Sequence, residues 1–132
     1  CKTAFVAIAV DQWEPMVQFY SCITGQSPHP YRPGGYAEFR LGSLRLGLFR
    51  ANPSHQDEFI HGRAANISIC LEVNHLEQSR QVIEQAYSVL TLPMAHGQLR
   101  LGTVAIASHG RECYAYDPDG NRLILHEALS SA

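Results

Sequence analysis

One order of elements is written twice along this chain, and that repetition restricts the available folds more than any single motif. Residues 3–10 alternate as a strand, and 12–24 place Trp13, Met16, Val17 and Tyr20 at helical spacing. Asp11 is a natural N-cap for that helix and Gly25 a natural stop. A loop over 26–35 holds three prolines and two glycines, after which 36–41 and 44–50 alternate as strands joined at Gly42-Ser43. The pattern then restarts. Residues 66–73 read as a strand and 76–87 as a helix through Leu76, Val82, Ile83 and Ala86. A loop over 90–102 leads to strands at 103–107, 112–116 and 122–126. Val10-Asp11-Gln12-Trp13-Glu14 and Val73-Asn74-His75-Leu76-Glu77 correspond at a separation of 63 residues. The expected architecture is α+β: one domain of two tandem βαβββ modules, about 3–50 and 66–127, with a polar, His-rich linker over 51–65.

The size fits one domain with a proper core, at 132 residues and 45% apolar composition. A net charge of −2 provides no electrostatic footprint for nucleic acid or an anionic membrane. No apolar run approaches the roughly 18 residues of a spanning helix, and the N-terminal stretch reads as a strand, not a secretory leader. Cys1, Cys22, Cys70 and Cys113 form no CxxC pair, so a reducing cytoplasm is expected. The thiols read either as inert small hydrophobes or as reactive groups; both readings stay open.

Strand parity separates two faces. Val6, Ile8 and Val10, then Leu44, Leu46 and Leu48, then Ile67, Ile69, Leu71 and Val73, then Leu123 and Leu125 share one face, which the helices should cover. The opposite parity mixes small, aromatic and titratable residues: Phe5, Ala7, Tyr36, Glu38, Arg40, Arg45, Phe49, Cys70, Glu72, Glu112, Tyr114 and His126. Such a lining suits a partly wetted concave pocket, and the competing reading is the solvated side of an antiparallel sheet.

The closing segment 113–127, CYAYDPDGNRLILHE, is a strand, a tight Asp-Pro-Asp-Gly turn and a strand. Together with VAIAVDQWEPMVQFY in the first strand and helix and LEVNHLEQSRQVI in the second, it resembles the vicinal-oxygen-chelate superfamily of glyoxalase I, extradiol dioxygenases and fosfomycin- and bleomycin-resistance proteins. The resemblance covers nearly the whole chain. It implies a curved mixed sheet around a concave pocket with helices on the outer face, and it implies a homodimer. It also implies a divalent metal held from the first and last strands of each module. Those positions are Phe5, Gly47, Ser68 and Ile124 here, and none supplies an imidazole or a carboxylate. No metal and no other cofactor is therefore expected.

What remains is a lining of possible ligand contacts. Tyr114 matches the resemblance's active-site tyrosine spacing before the turn, with Glu112 and His126 as expected neighbours for hydrogen bonding or proton relay. His109 and Arg111, in the loop SHGRE, would grip an anion at the pocket rim. Glu38, Arg40, Phe49 and Cys70 complete the lining. No nucleophile elbow or phosphate cradle is present. The leading expectation is a cytoplasmic, metal-independent protein that binds a small organic ligand. The alternative is a glyoxalase-like lyase, isomerase or dioxygenase with a relocated metal or an acid–base pair. A third reading is an interaction module whose pocket Phe5, Phe49 and Tyr114 plug.

Overall fold

Periodicity becomes architecture directly. The structure, a computed structural model, describes residues 1–59, 66–90 and 100–129. In the first module, β1 (Val6–Ala9), α1 (Trp13–Thr24), β2 (Tyr31–Arg32), β3 (Tyr36–Leu41) and β4 (Leu44–Phe49) follow in order. A short 3-10 helix, Pro53–Glu58, leads out of it. The second module holds β5 (Ile69–Glu72), α2 (Leu76–Ser88), β6 (Ala105–Ala107), β7 (Gly110–Tyr116) and β8 (Arg122–Ala128). Most of the expected 90–102 loop and the end of the 51–65 linker lie outside the described residues.

Each module makes its own four-stranded mixed sheet, in the orders β1-β4-β3-β2 and β5-β8-β7-β6. The first strand of each runs parallel to the last, with Val6 opposite Leu46 and Ile69 opposite Leu123. Among the described residues the strands form two open sheets, rather than one continuous surface. α1 and α2 pack on each other, and each also packs on strands of its own module. Leu46, Leu48, Leu123 and Leu125 are buried against the helices in a single core, as their parity requires. Phe19 of α1 stacks on Tyr87 of α2, ring centroids 5.7 Å apart, which joins the modules through their helices. Ile67 departs from the expected pattern at 80% exposure, because it precedes β5 and lies beyond helix cover.

The two helix starts are capped from a distance. Asp11 does not cap α1. Its own backbone N–H, and that of Gln12, instead donate to the Asp119 carboxylate at 2.7 and 3.0 Å. Gln12 Nε2 donates to the Pro118 carbonyl at 2.7 Å. For α2, the Leu76 N–H donates to Glu127 Oε2 at 2.8 Å. In both cases an anion meets the positive end of a helix. Gly25 ends α1 in the left-handed conformation (φ 66°) that favours glycine.

The Asp-Pro-Asp-Gly turn therefore serves the fold. Asp117 is fully buried. Its carboxylate accepts from the Tyr20 hydroxyl at 2.7 Å, from the Asn121 N–H at 2.9 Å and from the Asp119 N–H at 3.0 Å. Burial pushes its pKa up to about 6, against the lowering effect of Tyr20 and Asn121.

Candidate functional site

Both sheets turn their titratable face away from the helices, and each carries one cluster. On the first sheet, Ala7, Gly47 and Glu38 form a row across β1, β4 and β3. Glu38 is only 5% exposed. Arg45 donates to both its oxygens, Nε to Oε2 at 3.0 Å and Nη2 to Oε1 at 3.1 Å, and the Tyr36 hydroxyl donates to Oε1 at 2.8 Å. The Arg45 hydrogen bonds hold the Glu38 carboxyl below the usual range, with Tyr36 adding to them. Burial, then Glu38, pushes the Tyr36 phenol up. Gly47 makes room for this arrangement, since a Cβ there would stand 2.7 Å from the Tyr36 hydroxyl. Arg45 also covers the Phe5 ring, 4.4 Å from its centroid. Phe49 meets Phe59 edge-on at 5.7 Å, and Arg40 lies in solvent. Glu38 and Phe49 are thus engaged inside the protein.

The second sheet is more open. Glu72, His126, Glu112 and Ala105 form one row across β5, β8, β7 and β6, and Cys70, Ile124 and Tyr114 form the next. His126 Nδ1 lies 2.9 Å from both Glu72 oxygens, and its Nε2 lies 2.8 Å from Nδ1 of His109. The Glu72 hydrogen bond raises the His126 pKa, and Glu112 adds to the effect. Cys70 is exposed, but desolvation followed by Glu72 and Glu112 pushes its thiol up, away from the reactive thiolate. Tyr114, 43% exposed, has the Arg122 guanidinium 5.9 Å from its ring centroid. Beside it runs a groove of about 460 Å³ lined by Gly102, Thr103, Ala105, Glu112, Tyr114 and Tyr116.

Glu112 and His126 stand directly opposite each other as expected, whereas Tyr114 pairs with Ile124 one row away. Arg111 lies elsewhere. Its parity is that of buried Cys113 and Ala115, and it donates to Glu127 Oε1 from Nη2 at 3.0 Å and Nε at 3.2 Å. The expected anion grip by Arg111 with His109 is therefore not built, because strand alternation sends the two to different partners. His109 instead folds over His126, a contact that strand periodicity did not reveal. The tight step from Ala107 to Gly110 was its one local signal.

No family model and no curated protein matches the chain, but solved structures do. A glyoxalase-related enzyme from Fulvimarina pelagi superposes with a TM-score of 0.69 at 14% identity, covering 96% of this chain and 87% of that one. A bleomycin-binding protein complexed with bleomycin gives 0.63 at 18% identity, covering 98% and 100%. A genomically encoded fosfomycin-resistance protein from Listeria monocytogenes gives 0.68 at 14%, covering 98% and 94%. The fold is the vicinal-oxygen-chelate fold. At these identities the likeness establishes architecture alone.

The metal that the vicinal-oxygen-chelate resemblance implies does not fit the residues present. Tyr36 fills the space at Gly47, and Phe5 lies under Arg45. Ser68 Oγ accepts from Arg122 Nε at 2.6 Å, and Ile124 has no donor atom. Among the described residues, no group of three or more His, Cys, Asp or Glu side chains is placed to hold a metal ion.

Proposed function

We propose that this protein binds a small organic ligand, without a metal ion, on the open face of its second sheet. The groove beside Tyr114 carries this reading. It offers two tyrosine rings, small residues that permit close approach, and polar groups at Thr103 and Glu112. Among the described residues the Tyr114 hydroxyl makes no hydrogen bond that would compete with a ligand oxygen. The fold's occurrence in a bleomycin-binding protein is consistent with a sequestering role. The plugged-pocket alternative is less well supported, since Phe5 and Phe49 pack on the first sheet's own residues and Tyr114 borders open space.

A homodimer working in the cytoplasm belongs to the same proposal. Both titratable faces point away from the helices, so a second copy would close over a face that the described residues of one chain leave open. No helix among the described residues is long and apolar enough to cross a membrane.

A thermal-shift screen of uncharged and cationic metabolites and bleomycin, run with and without chelator, tests the reading. The expected result is a stabilising hit that survives chelation and is lost in Tyr114→Ala. Uniform silence overturns it, and a hit that requires added metal revives a metal-dependent enzyme.

A further inference from the structure

The carboxylates on the faces turned away from the helices are not alike. Glu38 is held by Arg45 and Tyr36, and Glu72 lies 2.9 Å from His126 Nδ1. Glu112 differs. Among the described residues no hydrogen bond or ion pair engages its carboxylate, although it stands directly opposite His126 in the ladder. It is partly buried, and it is the one charged side chain among the described residues that line the groove beside Tyr114.

The groove sets aromatic rings beside that carboxylate. Glu112, Tyr114 and Tyr116 follow at intervals of two along β7, so all three share one face. Neighbours on one face of a strand lie roughly 7 Å apart, a spacing that a short alkyl arm bridges. The facing wall is kept low. The Gly102 N–H donates to the Tyr114 carbonyl at 2.7 Å, and a Cβ on Gly102 would stand 3.2 Å from the same oxygen. Ala105 stands opposite Glu112 with only a methyl group, and Thr103 adds a hydroxyl. At about 460 Å³ the groove is toward the small end of ordinary ligand sites, which run from roughly 300 to 1,000 Å³. Arg122 pairs with Tyr116 across β8, at the end away from Glu112, and its Nε donates to Ser68 at 2.6 Å.

We propose that the groove selects arylalkylamines, with a protonated amine set against Glu112 and a flat aromatic ring packed on Tyr114 and Tyr116. This rests on the binding reading above and names its ligand class. An ammonium carries only donors, and the lining supplies acceptors in the Glu112 carboxylate and the hydroxyls of Thr103 and Tyr114. Tyrosine rings attract a cation as well as another ring. An anion meets Glu112, with Glu72 in the same row, and is repelled. An uncharged ligand covers a carboxylate that it cannot satisfy. The same row couples the groove to pH. Glu112 faces His126 from β7, Glu72 from β5 and His109 from the turn, with Cys70 and Tyr114 in the next row. The Glu72 hydrogen bond first, and Glu112 after it, favour the protonated His126. A bound ammonium occupies Glu112 and opposes that proton, so ligand and proton weaken each other by linkage.

Calorimetric titration of the intact protein with phenethylamine, 2-phenylethanol and 3-phenylpropionate tests the proposal, because one skeleton then carries a cation, no charge or an anion. The amine is expected to bind with a Kd about 10- to 100-fold lower than the alcohol, the range of one hydrogen bond to a charged group. The carboxylate should bind weakest. Glu112→Gln is expected to bring the amine to the level of the alcohol and to leave the alcohol unchanged, whereas Tyr114→Ala should weaken both alike. Phenethylamine should also lower the pH at which the His126 ring titrates by NMR, and should fail to do so in Glu112→Gln. Equal Kd values for amine and alcohol, an amine preference that survives Glu112→Gln, or an unmoved His126 titration overturns the ligand class. Silence toward all three compounds overturns it as well. A chelation-resistant hit of another chemistry in the thermal screen then leaves the binding reading standing, and a silent screen sinks both.

Discussion

Two buried carboxylates make opposite demands on pH. Asp117 is pushed up to about 6 from an ordinary 3.8, so between these values the folded protein binds more protons than the unfolded chain. Its contribution to stability therefore falls as pH rises through that window and levels off above about 6. Glu38 behaves in reverse: Arg45 holds its pKa below 4.5, and the stabilisation is lost as pH falls through the folded value. Urea titrations at a series of pH values should show the stability of Asp117→Asn rising more, or falling less, than the parent's between pH 4 and pH 6. A slope unchanged by the substitution would mean that Asp117 is not the group responsible. In the same assay Arg45→Ala should lower the midpoint more than Arg40→Ala. The first strips a buried carboxylate of its charge partner, and the second removes a solvated side chain.

Among the elements, turns act on partners far along the chain. Replacing Asp119 by Ala frees two backbone N–H groups at the start of α1 and should cost about 0.5–2 kcal/mol, whereas Asp11→Ala should cost little. Denaturant unfolding of the pair decides which aspartate is the cap. Gly110→Ala should cost more than Asp119→Ala, because the added carbon collides with backbone at a φ that other residues rarely adopt. The order of strands and helices was legible, β2 excepted, because periods of two and 3.6 residues are local properties; Tyr31 and Arg32 of β2 fall inside the Pro- and Gly-rich stretch read as a loop, and two residues are too few to show a period. The inward leucines and the outward Glu72, Glu112, Tyr114 and His126 were legible for the same reason. The Asp119 cap, the Glu127 cap and the His109–His126 contact were not, since each depends on how modules or turns come together. Arg111 was misplaced at the rim because the loop was taken as extending past Gly110, where β7 and its alternation already begin.

At the scale of the whole molecule, the described residues share one core with two sheets around it. Phe19 on Tyr87, Tyr20 on Asp117 and the Tyr87 hydroxyl on the Tyr116 carbonyl at 2.7 Å all tie α1, α2 and the closing hairpin together. The modules should unfold together. Trp13, the single tryptophan, reports on the first module, so its fluorescence can be compared with far-UV circular dichroism from the whole chain. Leu123→Ala, in the second module, should cost about 2–5 kcal/mol and move both midpoints equally. A fluorescence midpoint left in place would show that the first module stands alone.

The cap at Asp119 has a consequence for how such a chain comes to be folded. The carboxylate that completes the first helix is more than a hundred residues downstream of it, at sequence separations of 108 and 107. On a growing chain, α1 and the strands of its module emerge long before their stabilising anion exists. Closing so long a loop is an entropic cost that only the finished hairpin repays. The repeat in the sequence suggests two units that fold in turn; this bond makes the early unit wait for the late one.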